Sequence, residues 1–274
     1  MPEYQLQWSE EFDANNNTKL NSKNWNFDIG DGSEFGIPGW GNQEREYYVE
    51  DAANISESVL EIKARRMWDA SGLNRYIEEG KAELQSYYNT PAEWTSAKIT
   101  TYKKVAFQYG KIEARIKVPN GAGVWPAFWM LGVDIETSTW PLCGEIDILE
   151  VRGQSPSNLV TTLHGPDYCG EFGVTSDYSS HNNLSSDFHT YAIEWLEDQI
   201  SWFLDEQLIF SLKKSDIAPK VWVFNKPFYI IINLAMGGNF VGEITTDIDE
   251  AVLLVDHIRH YSIDGIGKVT IEAP

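Results

Sequence analysis

Apolar and polar residues alternate with a period of two over much of the chain. Between residues 111 and 118, every second position from Ile112 onward is apolar, and the positions between them are charged. This period places successive side chains on opposite faces, so the segment is predicted to be a strand in a sheet with one buried face. No long segment has the spacing of an amphipathic helix.

Other short segments predict a largely antiparallel fold. Between residues 189 and 212, three aromatic or branched segments are separated by the acidic pairs 197–198 and 205–206, which suit tight turns. Further predicted strands occupy residues 60–64, 159–164, 228–234 and 252–263. We therefore predict an all-β fold, a β-sandwich or jelly roll of two antiparallel sheets.

The chain is predicted to form one domain over residues 1–274. It contains no Pro- or Ser-rich linker, no charge block and no internal repeat, and all-β sandwiches reach this length as single domains. Residues 28–48 contain five glycines and are longer than a simple connection. Long loops in compact domains are often functional.

Composition and charge narrow the range of partners. Hydrophobic residues make up 42% of the chain and 11 residues are Trp, which provides a packed core and excludes a disordered chain. The net charge of -20 repels nucleic acid, anionic membranes and sulfated polymers, so a neutral or cationic substrate is favoured. No apolar run approaches the roughly 18 residues of a membrane span.

Several kinds of chemistry have no motif in this sequence. It lacks a phosphate loop, a dinucleotide fingerprint, a nucleophile elbow and a His-Glu-x-x-His motif. Cys143 and Cys169 are predicted to be separate thiols, and a bridge between them would imply an oxidising compartment. Residues 1–10 carry no signal-peptide pattern, which fits either a cytoplasmic protein or a mature chain.

The most informative segment is the acidic strand at residues 144–151. Strict alternation would place Glu145 and Asp147 on one face and Glu150 in the core, where a lone carboxylate costs several kcal/mol. A β-bulge near Ile148 and Leu149 would return Glu150 to the face of Glu145. We therefore predict a bulge at this place.

The bulge would set the spacing of two carboxyl groups. Glu145 and Glu150 would then lie roughly 13 Å apart at Cα. If their side chains lean together, the carboxyl groups approach to about 5 to 6 Å, which suits a retaining glycosidase better than an inverting one. The alternative interpretation of this strand is a solvated acidic face.

Tryptophans surround the acidic strand in sequence. Trp125 and Trp129 precede it, Trp140 lies five residues before Glu145, and Trp40 lies in the glycine-rich segment. Aromatic faces stack on the apolar faces of sugar rings, so carboxylates among tryptophans favour carbohydrate cleavage. For any single tryptophan, core packing is the alternative.

Three stretches together resemble the laminarinase type of glycoside hydrolase family 16. They are residues 39–44 (GWGNQE), residues 109–131 (beginning YGKIEAR and ending WPAFWML) and residues 140–150 (WPLCGEIDILE). The resemblance implies a jelly roll whose concave sheet binds glucan, with no cofactor for catalysis. It implies a secreted monomer that cleaves β-1,3-glucan internally, with mixed β-1,3-1,4-glucan as a second substrate.

The resemblance also implies roles for the acidic residues. Glu145 would attack the anomeric carbon, Glu150 would protonate the leaving oxygen and then activate water, and Asp147 would hydrogen-bond the nucleophile. The bulged motif resembles laminarinases, agarases and carrageenases. An agar or carrageenan hydrolase and a non-catalytic glucan-binding lectin are therefore the alternative functions.

Further positions match the family more loosely. His164 matches a residue near the acid/base, with a structural histidine as the alternative. The positions that would contact sugar are Trp40, Asn42, Arg65, Trp125, Trp129, Trp140 and Asn233.

A structural calcium site is implied on the convex face. Asp256 matches its carboxylate, and Glu11 and Ser58 fall near its carbonyl positions, although relatives usually have Gly where Ser58 stands. Calcium prefers oxygen ligands, and its role would be stability.

Overall fold

The computed structural model describes residues 2–14, 18–68 and 92–272. Helical structure within these ranges is limited to 3-10 turns at Ser33–Phe35, Pro38–Gly41, Glu50–Ala52, Gly170–Phe172 and Lys214–Ile217. The described strands, in chain order, are β1 (Tyr4–Glu10), β2 (Asn26–Asp28), β3 (Glu46–Tyr48), β4 (Ala53–Ser56), β5 (Val59–Arg66), β6 (Trp94–Ser96), β7 (Lys98–Thr100), β8 (Val105–Gln108), β9 (Gly110–Lys117), β10 (Val124–Gly132), β11 (Glu145–Val151), β12 (Asn158–His164), β13 (Val174–Ser179), β14 (His189–Leu196), β15 (Gln199–Leu204), β16 (Gln207–Lys213), β17 (Phe228–Met236), β18 (Glu250–Ile263) and β19 (Lys268–Ile271).

The strands form two sheets. The first has the order β16-β15-β14-β9-β18-β5-β6-β3, with β1 on β18 and β4 on β5. The second has the order β13-β12-β11-β10-β17-β7-β2, with β8 on β17 and β19 on β8. Apart from the parallel β3–β6 pair, all of these pairings are antiparallel, and the predicted all-β jelly-roll sandwich is confirmed.

The main core lies between the two sheets. On β9 the predicted alternation is observed, since Ile112, Ala114 and Ile116 are buried in the same cluster as Phe128 of β10 and Ile232 of β17. Face-to-face packing of alternating strands explains why one side of each sheet is apolar. Cys143 and Cys169 are free thiols, as predicted.

The predicted bulge lies in β11. In the pairing with β12, the register shifts between Asp147 and Glu150. Ile148 and Leu149 are consecutive in sequence, yet both are buried in the main core. Two successive inward side chains are what a bulge produces, and Glu150 is thereby returned to the other face.

The glycine-rich loop is closed by its own backbone. Gly30 pairs with Tyr48, and the backbone N–H of Trp40 donates to the carbonyl of Asp31. A Cβ at Gly32 would lie 2.3 Å from the carbonyl oxygen of Ile37, and the φ of Gly32 is +85°. Only glycine fits this turn without strain. None of the described helices is long and apolar enough to cross a lipid bilayer.

Candidate active site

The face of the nine-stranded sheet opposite the main core carries the acidic residues, and we call it the acidic face. Glu145 pairs with His164 of β12, and Asp147 pairs with Trp129 of β10. Paired residues in an antiparallel ladder project from the same face. Beyond the bulge, Glu150 is only partly buried, whereas its neighbours in the strand are core residues.

Each of the outer carboxyl groups accepts a hydrogen bond from an indole. Nε1 of Trp140 donates to Oε2 of Glu145 at 2.5 Å, and Nε1 of Trp125 donates to Oε1 of Glu150 at 3.2 Å. Hydrogen bonds from neutral donors favour the ionised form of a carboxyl group. The two indoles therefore orient both carboxyl groups and oppose the cost of burying their charge.

His164 lies closer to the start of the acidic strand than expected. Its strand partner is Glu145, whereas the partner of Glu150 is Val160. Its Nε2 is 3.2 Å from Oδ2 of Asp147, an ion-pair distance without hydrogen-bond geometry. The charge of His164 also lowers the pKa of Glu150, and its place near the acid/base stays a prediction.

The three acidic residues raise one another's proton affinity. Burial, followed by the charge of Asp147, raises the pKa of Glu145 to about 8. Burial, followed by the charge of Glu145, raises the pKa of Glu150 to about 7, and burial also raises the pKa of Asp147 well above its usual range. Because the three groups interact, each observed pKa belongs to the cluster as a whole and not to one residue. Such a cluster holds both a carboxylate and a proton donor near neutral pH.

The bulge is tied to the opposite sheet. Nε1 of Trp202, on β15, donates to the backbone carbonyl of Asp147 at 2.9 Å. Trp202 is 55 residues away in sequence and was not predicted to touch the site. No local sequence pattern reveals a contact between two sheets.

A second aromatic residue extends the surface at Trp125. The rings of Trp125 and Phe240 are 4.9 Å apart, and Cζ of Arg152 is 3.9 Å from the centroid of Phe240. Phe240 was missed from the sequence because it lies in a loop far along the chain. Together the two rings form an apolar surface next to Glu150.

Trp129 is linked to the glycine-rich loop by side-chain hydrogen bonds. Its Nε1 donates to Oδ1 of Asn233 at 2.7 Å, and Nδ2 of Asn233 donates to the hydroxyl of Tyr48 at 3.0 Å. Tyr48 donates to Oε2 of Glu44 at 3.3 Å, and Nδ2 of Asn42 donates to Oε1 of Glu44 at 3.0 Å. The structure thus brings together three predicted positions, Trp129, Asn233 and Asn42.

Trp40 and Arg65 are placed differently from the other predicted sugar contacts. Trp40 is only 8% exposed, and the Nζ of Lys98 is 4.0 Å from the centroid of its ring. Its packing leaves little open ring surface for a sugar. Arg65 lies on β5 in the other sheet, opposite Thr95 and Glu250.

The predicted calcium residues converge only in part. The sheet places them near one another, since Val255 pairs with Leu60 and Glu10 pairs with Ile258. The carboxylate of Asp256, however, is 3.1 Å from Nη1 of Arg115. Nδ1 of His257 lies 2.9 Å from the same oxygen, Oδ2.

The other two predicted calcium positions are Glu11, which is paired with an arginine, and Ser58, which has a left-handed backbone. Both carboxylate oxygens of Glu11 accept hydrogen bonds from Arg259, at 2.9 and 2.7 Å. Ser58 has a φ of +59°, the region that favours glycine. Among the described residues, the side-chain donor set compact enough for a metal is instead Glu145, Asp147 and His164, within 4.8 Å of one another.

Comparisons with known proteins agree with this architecture. The family model for Glycosyl hydrolases family 16 matches residues 41–251. The chain is 33% identical over 274 residues to Glucan endo-1,3-beta-glucosidase A1 of Niallia circulans, covering 93% of this chain but 37% of that protein. It is 35% identical over 252 residues to Glucan endo-1,3-beta-glucosidase of Cryptopygus antarcticus, covering 86% of this chain and 82% of that protein.

A solved structure also matches in fold. The laminarinase catalytic domain from Thermotoga maritima MSB8 superposes with a TM-score of 0.85 at 39% identity, covering 94% of this chain and 98% of that chain.

Proposed function

Because the chain belongs to glycosyl hydrolase family 16, we propose that it cleaves internal bonds of β-1,3-glucan with retention of configuration. The observation that carries the proposal is the bulge in β11, which returns Glu150 to the face of Glu145. Each of these carboxyl groups is held by its own indole donor. A neutral polymer also suits a chain with a net charge of -20.

The mechanism is a double displacement. Ionised Glu145 attacks the anomeric carbon and forms a covalent glycosyl ester while protonated Glu150 gives its proton to the leaving oxygen. Glu150, now ionised, takes a proton from water, and the hydroxide oxygen attacks the same carbon. Glu145 leaves as a carboxylate, and the cluster is restored.

Asp147 supports this exchange of protons. Burial and the charge of Glu150 raise the pKa of Asp147 well above its usual range, which favours a proton held within the cluster. A proton held on Asp147 leaves Glu145 ionised, and the nearby ring of His164 also favours that charge. Asp147 and His164 are therefore proposed to set which carboxyl group is ionised.

Sugar rings are proposed to contact the aromatic residues of the acidic face. Trp140 is 44% exposed, and Trp125 stacks against Phe240. The remaining predicted contacts, Asn42, Asn233 and Trp129, belong to the hydrogen-bonded chain that ends at Glu44. We assign Trp40 and Arg65 no direct contact.

The decisive experiment is hydrolysis of laminarin by wild type, Glu145→Gln and Glu150→Gln, with NMR detection of the anomer first released. We expect β products from wild type and a loss of kcat of at least about 1000-fold in Glu145→Gln. An α product, or normal turnover by Glu145→Gln, would refute the mechanism.

Substrate range is tested on laminarin, lichenan, agarose and carrageenan side by side. We expect release of reducing ends from laminarin, weaker release from lichenan and none from the two galactans. Laminarin binding without any release would instead support the lectin alternative.

Calcium is proposed as a stabilising ligand at Asp256, Glu11 and Ser58, where Oδ2 of Asp256 already pairs with Arg115. Millimolar calcium should then raise Tm, and Asp256→Asn should remove the increase. An unchanged Tm in wild type would refute the calcium site. Glu50→Gln, an exposed acidic position, is the control.

We further propose one catalytic domain over residues 1–274 that acts as a secreted monomer, since polymeric glucan cannot enter a cell intact. Light scattering after size-exclusion chromatography should give a mass near 31.1 kDa.

A further inference from the structure

A second pair of acidic residues lies beside the acidic face. Glu46 and Tyr48 on β3 are both buried, with Glu46 only 2% exposed, and the partly buried Glu44 lies two residues before the strand. The proposed mechanism does not use either glutamate. Buried carboxyl groups are costly unless they are neutral or well paired, so this pair needs a physical explanation.

The hydrogen bonds that lead to Glu44 all run in one direction. Trp129 donates to Asn233, Asn233 to Tyr48, and Tyr48 to Glu44, while Asn42 donates to the other oxygen of Glu44. Donors on both oxygens favour the ionised form of this carboxyl group. Burial raises the pKa of Glu44, whereas Lys98 and the donors Asn42 and Tyr48 lower it.

Glu46 accepts fewer hydrogen bonds than Glu44. Its Oε2 accepts the backbone N–H of Met236 at 2.7 Å, and its Oε1 has no partner of good geometry among the described residues. Burial, followed by the negative charge of Glu44, raises the pKa of Glu46 well above its usual range. Burial and the neighbouring charge therefore favour the protonated form of Glu46, and its Oε1 is the oxygen that no donor occupies.

We propose that Glu44 and Glu46 share one proton and act as a positioning pair for Trp129, whose indole they hold through Tyr48 and Asn233. Neutral Glu46 stabilises the charge on Glu44, and that charge anchors the chain of donors. The inference rests on the proposed function, because the orientation of Trp129 matters for activity only if the acidic face binds glucan.

The two glutamates predict different responses to the same substitution. In Glu46→Gln, the amide N–H₂ donates to Glu44 and the amide oxygen accepts from Met236, so the neutral form is reproduced. In Glu44→Gln, one oxygen replaces two acceptors, and a donor is left without a partner. In Glu46→Leu, the proton that Glu46 offers to Glu44 is lost, and only Tyr48, Asn42 and Lys98 remain to stabilise the charge on Glu44.

The experiment measures kcat and KM on laminarin and the near-UV circular dichroism of each variant. We expect Glu46→Gln to stay within about twofold of wild type in KM, and Glu44→Gln and Glu46→Leu to raise KM about tenfold with kcat changed less than threefold. The latter two should also lose the dichroism band that Trp129→Phe loses. Glu50→Gln is the matched exposed control.

The outcomes separate this inference from the proposed function. Equal effects of the two glutamine variants, a fall in kcat without a rise in KM, or an unchanged Trp129 band would each overturn the positioning pair. If wild type releases no reducing ends, the proposed function fails. In that case, the near-UV dichroism of the variants still tests whether the pair positions Trp129. If Glu44→Gln or Glu46→Leu folds poorly, the comparison of Glu46→Gln with wild type remains.

Discussion

At the scale of single residues, the neighbours of Glu145 act on its proton in opposite directions. Burial and the charge of Asp147 raise its pKa, whereas the ring of His164 and the indole N–H of Trp140 lower it. The higher pKa of the outer pair belongs to Glu145, although the proposed nucleophile has to be ionised. The Trp140 donor favours the ionised form that the proposed nucleophile needs.

Replacing Trp140 by Phe keeps the ring and removes this donor. The pKa of Glu145 should rise, so the acid limb of the pH profile of kcat/KM should move to higher pH. Activity at pH 6 should fall about tenfold, the value of one hydrogen bond to a charged group. Trp125→Phe is the matched comparison: it raises the pKa of Glu150, which must stay protonated, and so should move the alkaline limb to higher pH. If neither limb moves, the indoles do not control these protons.

At the scale of elements, the bulge in β11 could be predicted because only one backbone irregularity keeps Glu150 out of the core. The strands were predictable because the alternation of apolar and polar residues is a local property of the sequence. The contacts of Glu46, Phe240 and Trp202 were not predictable, because each depends on segments that are distant in sequence. Glu46 did carry one weak signal, its place two residues from both Glu44 and Tyr48.

Leu149 is the extra inward residue of the bulge and is fully buried. Leu149→Ala should lower the free energy of unfolding by about 2 to 5 kcal/mol. It should also lower kcat, because the bulge that places Glu150 loses its packing. Leu208→Ala, on β16 with 54% exposure, should change stability by less than about 0.5 kcal/mol. Urea unfolding of both variants measures the difference, and equal values would show that the bulge does not depend on its core side chain.

At the scale of the whole molecule, the acidic groups oppose folding. Glu44, Glu46, Glu145, Asp147 and Glu150 all have raised pKa values, so the folded chain holds protons that the unfolded chain releases. The net charge of -20 adds self-repulsion. The sequence revealed the net charge but not the burial of these carboxyl groups, which depends on the register of distant strands.

Stability should therefore be greatest at mildly acidic pH. A carboxyl group whose pKa is higher in the folded state makes its full contribution to the free energy of unfolding below its unfolded pKa. That contribution is lost as pH rises through the pKa of the folded state. For Glu150 and Glu145 the loss extends through pH values of about 7 and about 8. Each retained proton gives a slope of up to about 1.4 kcal/mol per pH unit. Tm measured from pH 5 to pH 9 should fall, and Glu145→Gln should fall less steeply than wild type, whereas Glu50→Gln should match it.

The bond from Trp202 to the carbonyl of Asp147 has a consequence for heat inactivation. Strand β15 lies next to the edge strand β16, where local opening begins most easily. Fraying at that margin would release the indole and relax the kinked backbone that sets the separation of the reacting groups. Turnover should thus decline on warming before the sandwich melts.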